Sequence, residues 1–194
     1  MMSTQQQSRR SSPITVRTTV TNDHLHQLLH VAKEDPRLHD LHDIASIISF
    51  TGIRPGELRG LRWADIDFAE RRFSVAVKFG GLRYVPLSTK GRQILEALRD
   101  RDPAGVFVLG KSPQQVLARV RAQLRAVAGK MGTGPVSLRS LRHSFFTHVM
   151  RCGANATTLM CIVGYRGYSP IKSFLTPAQI CTRAADDLAR LAQI

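Results

Sequence analysis

Apolar residues recur at intervals of three and four along most of this chain and at intervals of two over one short stretch, a contrast that predicts a mainly helical molecule with a small sheet. Helical spacing starts at Asn22, read as the capping residue, and covers 22–29; it resumes over 38–50, where Gly52 stops it. Arg54 stands before Pro55. A residue preceding proline favours extended backbone, and proline suits the first position of a helix, so a new helix is predicted over 55–61 with Arg54 at its start. Beyond Asp67 the period changes to two: Phe73, Val75 and Val77 alternate with Ser74, Ala76 and Lys78, and after Gly80 and Gly81 a return strand follows over 84–87. That is a β-hairpin. Helical patterns return over 90–99 and 113–128, separated by an apolar run at 106–109 that fits either a strand or a buried turn. A glycine-rich loop fills 129–134, Ser137 caps a helix over 138–151 that Gly153 ends, and further helices are predicted over 156–163, 169–174 and 178–191. No internal repeat and no second domain interrupt the pattern. The class predicted is α+β.

Composition narrows the partners. The 194 residues are 43% hydrophobic and 22% charged, enough apolar material for a core of their own, and 28 Lys and Arg against 14 Asp and Glu leave a formal charge of +14. Solubility needs far less, so nucleic acid is the leading partner class. An anionic membrane is the competitor, but the longest apolar runs, such as 44–50, are too short to span a bilayer. Residues 1–18 are polar and rich in Gln, Ser and Arg, without the apolar stretch of a signal peptide. They read as a disordered basic arm preceding a single domain over 19–194, with a cytoplasmic location. Cys152, Cys161 and Cys181 match neither a disulfide framework nor a paired-cysteine zinc site, and are expected to be reduced and buried. His39, Asp40, His42 and Asp43 have the spacing of a metal cluster on a helix, but no other ligand group joins them, and the expectation is a solvated face. With aromatic content of only 6% and no stacking motif, an RNA-binding module is weakly supported.

Basic residues occupy three structurally special places: Arg54 at a helix start, Lys78 near the hairpin tip, and Arg139 with Arg142 at i, i+3 on one helix face. Any one of them alone reads as a surface cation. Their surroundings change that reading. The segments TGIRPGEL at 51–58, LRWADID at 61–67, VKFGGLRYVPL at 77–87, LRSLRHSFFTH at 138–148 and SFLTP at 173–177 together resemble, in order and spacing, the catalytic domain of the tyrosine recombinase (phage integrase) family. The resemblance covers 22–177.

It implies a mainly helical catalytic domain with a small β-hairpin, acting in DNA recombination and integration by strand cleavage and rejoining through a 3′ phosphotyrosyl link. Double-stranded DNA and other protomers of a DNA-assembled complex are the implied partners, with no cofactor, metal or small-molecule substrate. The site residues it implies are Arg54, Lys78, Arg139, Arg142, Tyr165 and Phe174, the last at the nucleophile's position. Attack on a phosphodiester builds charge on non-bridging oxygens, which two planar guanidiniums can stabilise through paired hydrogen bonds; Arg54 and Arg142 take that role. Lys78, whose amine can lose a proton as a guanidinium cannot, is the candidate acid for the departing 5′ oxygen. All six are expected to converge on one concave basic face.

Three positions depart from the family pattern. Arg139 stands where a histidine is usual and keeps a donor but not a base; Tyr165 stands where His or Trp is usual. Phe174 supplies the expected ring without an attacking oxygen. Tyr168 and Tyr165 are the nearest alternative nucleophiles, six and nine residues earlier in the chain. The chain as written is therefore expected to form no covalent link to DNA, and a non-catalytic DNA-binding regulator is the alternative reading.

Overall fold

The fold was taken from a computed structural model, which describes residues 20–76 and 81–164. Along those residues the order is α1 (Asn22–Glu34), a 3-10 turn (Pro36–Leu38), α2 (His39–Thr51), α3 (Pro55–Gly60), a second 3-10 turn (Trp63–Asp65), then β1 (Ile66–Asp67), β2 (Arg72–Ala76) and β3 (Leu82–Pro86). Helices α4 (Thr89–Arg101), α5 (Pro113–Lys130), α6 (Leu138–Arg151) and α7 (Ala156–Val163) follow. The α+β class is as the spacing predicts. The expected arm at 1–18, and the helices expected over 169–174 and 178–191, lie outside the described residues.

Helix α2 is buried at every residue from Ile44 to Ser49, with Leu41, Ile44, Ala45, Ile47 and Ile48 each at most 1% exposed, so it must be surrounded. It is the hub: α1, α4, α5 and α6 all pack against it. A smaller cluster of Phe146, Val149, Met150, Ala154, Leu159 and Ile162 joins α6 to α7. Local signals set the ends. Thr21, rather than Asn22, caps α1 by accepting from the His24 N–H, and Ser137 caps α6 in a reciprocal box with Ser140, as expected of it.

The sheet is antiparallel in the order β1-β2-β3, so the expected hairpin gains one short strand. Two residues are too few to show a period. Phe73 and Val75 on β2 face the core, with Val85 of β3 opposite Phe73 and Arg83 opposite Val75. The run at 106–109 is a turn with a single bridge, Val108 and Leu109 buried but Val106 exposed, held by N–H donation from Trp63 to the Val106 carbonyl and from Val108 to the Leu61 carbonyl.

The histidine and aspartate face of α2 is not merely solvated: Asp40 pairs with Arg119 of α5 and Asp43 with Arg101 of α4, each short enough to be a direct ion-paired hydrogen bond. Two arginines from distant parts of the chain claim those carboxylates. Cys152 is half-buried rather than buried, with Sγ 3.6 Å from Nε2 of His148; the expectation for Cys181 lies outside the described residues.

Candidate functional site

The turn from α2 into α3 is the site's foundation. Gly52 ends α2 in the left-handed region (φ 64°), and a Cβ there would lie 2.4 Å from Cδ1 of Phe145 on α6. Only glycine lets the two elements approach so closely. Arg54 then adopts extended backbone (φ −72°, ψ 140°) as the cap of α3, with Pro55 at the first helical position, as the Arg-Pro pair predicts. A cation at a helix's positive end is electrostatically misplaced for stability. Glu57 offsets it, one oxygen accepting from the Arg54 backbone N–H at 2.8 Å and the other from Arg54 Nη1 at 2.6 Å.

Glu57 also binds a second arginine. Arg83, on the buried face of β3 and 8% exposed, donates from Nη2 to Glu57 Oε2 at 2.7 Å and from Nη1 to the Ile162 carbonyl of α7 at 2.6 Å. Burial opposes the charge on Glu57, yet the Arg54 N–H and the Arg83 and Arg54 guanidiniums outweigh it and hold the carboxyl below its ordinary range. Burial acts on Arg83 in the opposite sense to Glu57's attraction and lowers its pKa, with repulsion from Arg54 adding to the lowering. The sequence reading missed both residues. The signal for Arg83 was its place two residues before Val85, on the parity that faces the core; the signal for Glu57 was its third position in the α3 turn.

Arg142 reaches the same turn from α6. The residue is 7% exposed; its guanidinium donates from Nη1 to the Gly52 carbonyl, two residues before Arg54, and lies 4.6 Å from the centroid of the Phe146 ring. A buried cation needs such partners, here a carbonyl and an aromatic face. Two arginines predicted from separate segments thus share one corner of the fold. Arg139 occupies the first turn of α6 and is exposed, so the i, i+3 pair divides between surface and interior. Lys78, Tyr165 and Phe174 lie outside the described residues. Gly164 caps α7 in the left-handed region (φ 70°), and a Cβ there would fall 3.7 Å from Arg54 Nη1.

Chemically the corner has the charge and the donors to receive an anion. Arg54, 36% exposed, gives it an accessible guanidinium, and buried Arg142 supplies a cation in a medium that screens charge poorly. The first turn of α6 brings a helix-dipole positive end to Arg139. Among the described residues no group of three or more His, Cys, Asp or Glu could hold a metal ion, and no helix is long and apolar enough to cross a membrane.

Known proteins are similar to this chain in sequence and in fold. The phage integrase family matches residues 18–176. A tyrosine recombinase XerC of Mycobacterium sp. (strain KMS) is 28% identical over 159 residues, covering 75% of this chain and 52% of that protein. A tyrosine recombinase XerD of Brucella suis biovar 1 (strain 1330) is 33% identical over 141 residues, covering 66% of this chain and 45% of its own. The chain thus spans about half the length of these curated relatives. In fold it is similar to XerA recombinase (TM-score 0.67, 22% identity, 84% of this chain and 62% of that one). It is also similar to the Tn1549 transposon integrase, solved in complex with circular intermediate DNA (TM-score 0.72, 20% identity, 93% and 66%). With the family matched over most of its length and the fold matched independently, this chain belongs to the phage integrase family.

Proposed function

We propose that this chain is the DNA-binding recombinase domain of a site-specific tyrosine recombinase, whose basic corner holds a phosphodiester of duplex DNA. The observation that supports the reading is Arg142 seated on the carbonyl of Gly52, two residues before Arg54, so that arginines from separate elements meet at one turn. Arg54 and Arg142 stabilise charge on the non-bridging oxygens, and Arg139, exposed at the α6 start, adds a further donor. Lys78 protonates the departing 5′ oxygen and Tyr165 supplies a hydroxyl or a packing ring. In an active relative a tyrosine oxygen attacks phosphorus and displaces the 5′ oxygen, so the link formed conserves the bond's energy and needs no cofactor. Phe174 holds that position here without an oxygen, so the chain binds DNA and does not cut it. Other recombinase protomers assembled on the same DNA are its protein partners.

Phe174 also favours a second reading, a non-catalytic DNA-binding regulator derived from a recombinase. A nicked duplex that traps covalent intermediates separates the two. The chain as given should trap none, and Phe174→Tyr should restore an adduct, slowly, since Arg139 and Tyr165 replace the family's usual acid–base groups at a cost of roughly 10²- to 10⁴-fold each. Binding without an adduct from either form supports the regulator. An adduct on the unsubstituted chain that vanishes with Tyr168→Phe makes Tyr168 the nucleophile.

A further inference from the structure

We propose that Arg83 is a positioning residue for Arg54: by occupying one oxygen of Glu57 it fixes how the Arg54 guanidinium is presented to a phosphate, and ties that direction to the end of α7. The inference rests on the phosphate-binding reading of Arg54. A charged side chain on the core face of a strand is costly, and the position opposite Val75 would take an apolar residue more cheaply. The chain carries an arginine there, with both terminal nitrogens committed, Nη2 to Glu57 Oε2 and Nη1 to the Ile162 carbonyl.

The stoichiometry of the cluster gives the reason. Glu57 is one carboxylate between two guanidiniums, Oε1 on Arg54 and Oε2 on Arg83. A carboxylate facing a single arginine prefers to take it through both oxygens in a planar fork. With Arg83 absent, Glu57 could close on Arg54 in that way, turning its donors inward and cancelling its charge. With Arg83 in place the fork is prevented, and the trio keeps one net positive charge beside the proposed phosphate. The Arg83 stem also crosses the backbone of Gly164 so closely that a Cβ there would lie 2.4 Å from its Cδ and 2.8 Å from its Nε. β3, α3 and α7 therefore meet at this one side chain, and a shift of any of them is passed to Arg54.

Two measurements test the proposal on the intact chain. In ¹⁵N-labelled protein without DNA, the Arg54 Nε–H signal, identified by its loss in Arg54→Lys, should shift and exchange faster with water in Arg83→Met, and recover in part in Arg83→Lys. An unmoved Arg54 signal in folded Arg83→Met overturns the proposal whether or not the chain binds DNA. Should Arg83→Met fail to fold, Arg83→Lys decides alone: a partial shift supports positioning and an unmoved signal overturns it. By fluorescence anisotropy on a short duplex, Arg83→Met should weaken binding roughly three- to tenfold, the scale of one weakened charge-assisted hydrogen bond. In an Arg54→Ala background it should weaken binding no further. Losses that multiply in the double variant show that Arg83 acts independently of Arg54 and overturn the proposal. An unsubstituted chain that ignores the duplex removes the phosphate reading instead, leaving the spectroscopic result to stand by itself.

Discussion

Glu57 concentrates more of the site's electrostatics than any other carboxylate described near it, because it compensates two arginines and a helix cap at once. Its folded-state pKa is depressed, so the sign of its pH effect follows directly: the stabilisation is fully present above the unfolded value, about 4.3, and is lost as pH falls through the lower folded value. Glu57→Gln should therefore lower Tm at pH 7 and close the gap to the parent as pH falls below about 4. A gap that stays constant down to that acidity would show that the carboxylate's charge contributes nothing. Gln keeps the size of Glu but puts a donor where one accepting oxygen was, so the change of the gap with pH, rather than its size, reports the charge. Glu57 itself was hidden in the sequence among 14 acidic residues, since nothing local marks which of them has two arginines brought to it.

At the scale of elements, the α2–α3 turn is where backbone conformation and packing demand the same residue. Gly52→Ala meets a positive φ and the Phe145 ring together, so strain and overpacking add. We expect a loss of about 2 kcal/mol or more in urea unfolding, with the ring of Phe145 displaced and the Arg142 hydrogen bond to the Gly52 carbonyl weakened. A variant as stable as the parent would mean the turn relaxes freely. Element boundaries in the sequence were legible wherever a strong local rule applied: proline at the start of α3, serine before α6, glycine after α2. The missed element, β1, is held by its partner β2 rather than by any pattern of its own.

For the whole molecule, the excess of basic residues makes an electrostatic prediction independent of which residues do chemistry. Duplex affinity should fall on the order of tenfold or more between about 50 and 200 mM salt, the log–log slope being roughly −0.9 for each phosphate neutralised. Sequence preference should be weak, because phosphate contacts position a protein without reading bases. An affinity indifferent to salt would mean the charge serves something other than a polyanion. The same charge is partly spent inside the fold: Arg101 and Arg119 are bound to Asp43 and Asp40, and Arg83 to Glu57, so those three do not face DNA with their full charge.

What the sequence determined alone was periodic or local: helix and strand periods, caps, the Arg-Pro start of α3, the charge excess, and the ordered segments that resemble recombinases. These are readable because each depends on residues within a turn or two of one another, or on composition. Only the tertiary structure decided that Arg142 lies buried on the Gly52 carbonyl while Arg139 three residues earlier is exposed, that Asp40 and Asp43 are claimed by α5 and α4, and that Arg83 joins Glu57 to the end of α7. The physical reason is common to the buried ones, Arg142 and the Arg83–Glu57 pair. A buried charge is tolerable only with partners, and the partners come from elements far apart in the chain, so no stretch of sequence contains both the demand and its solution.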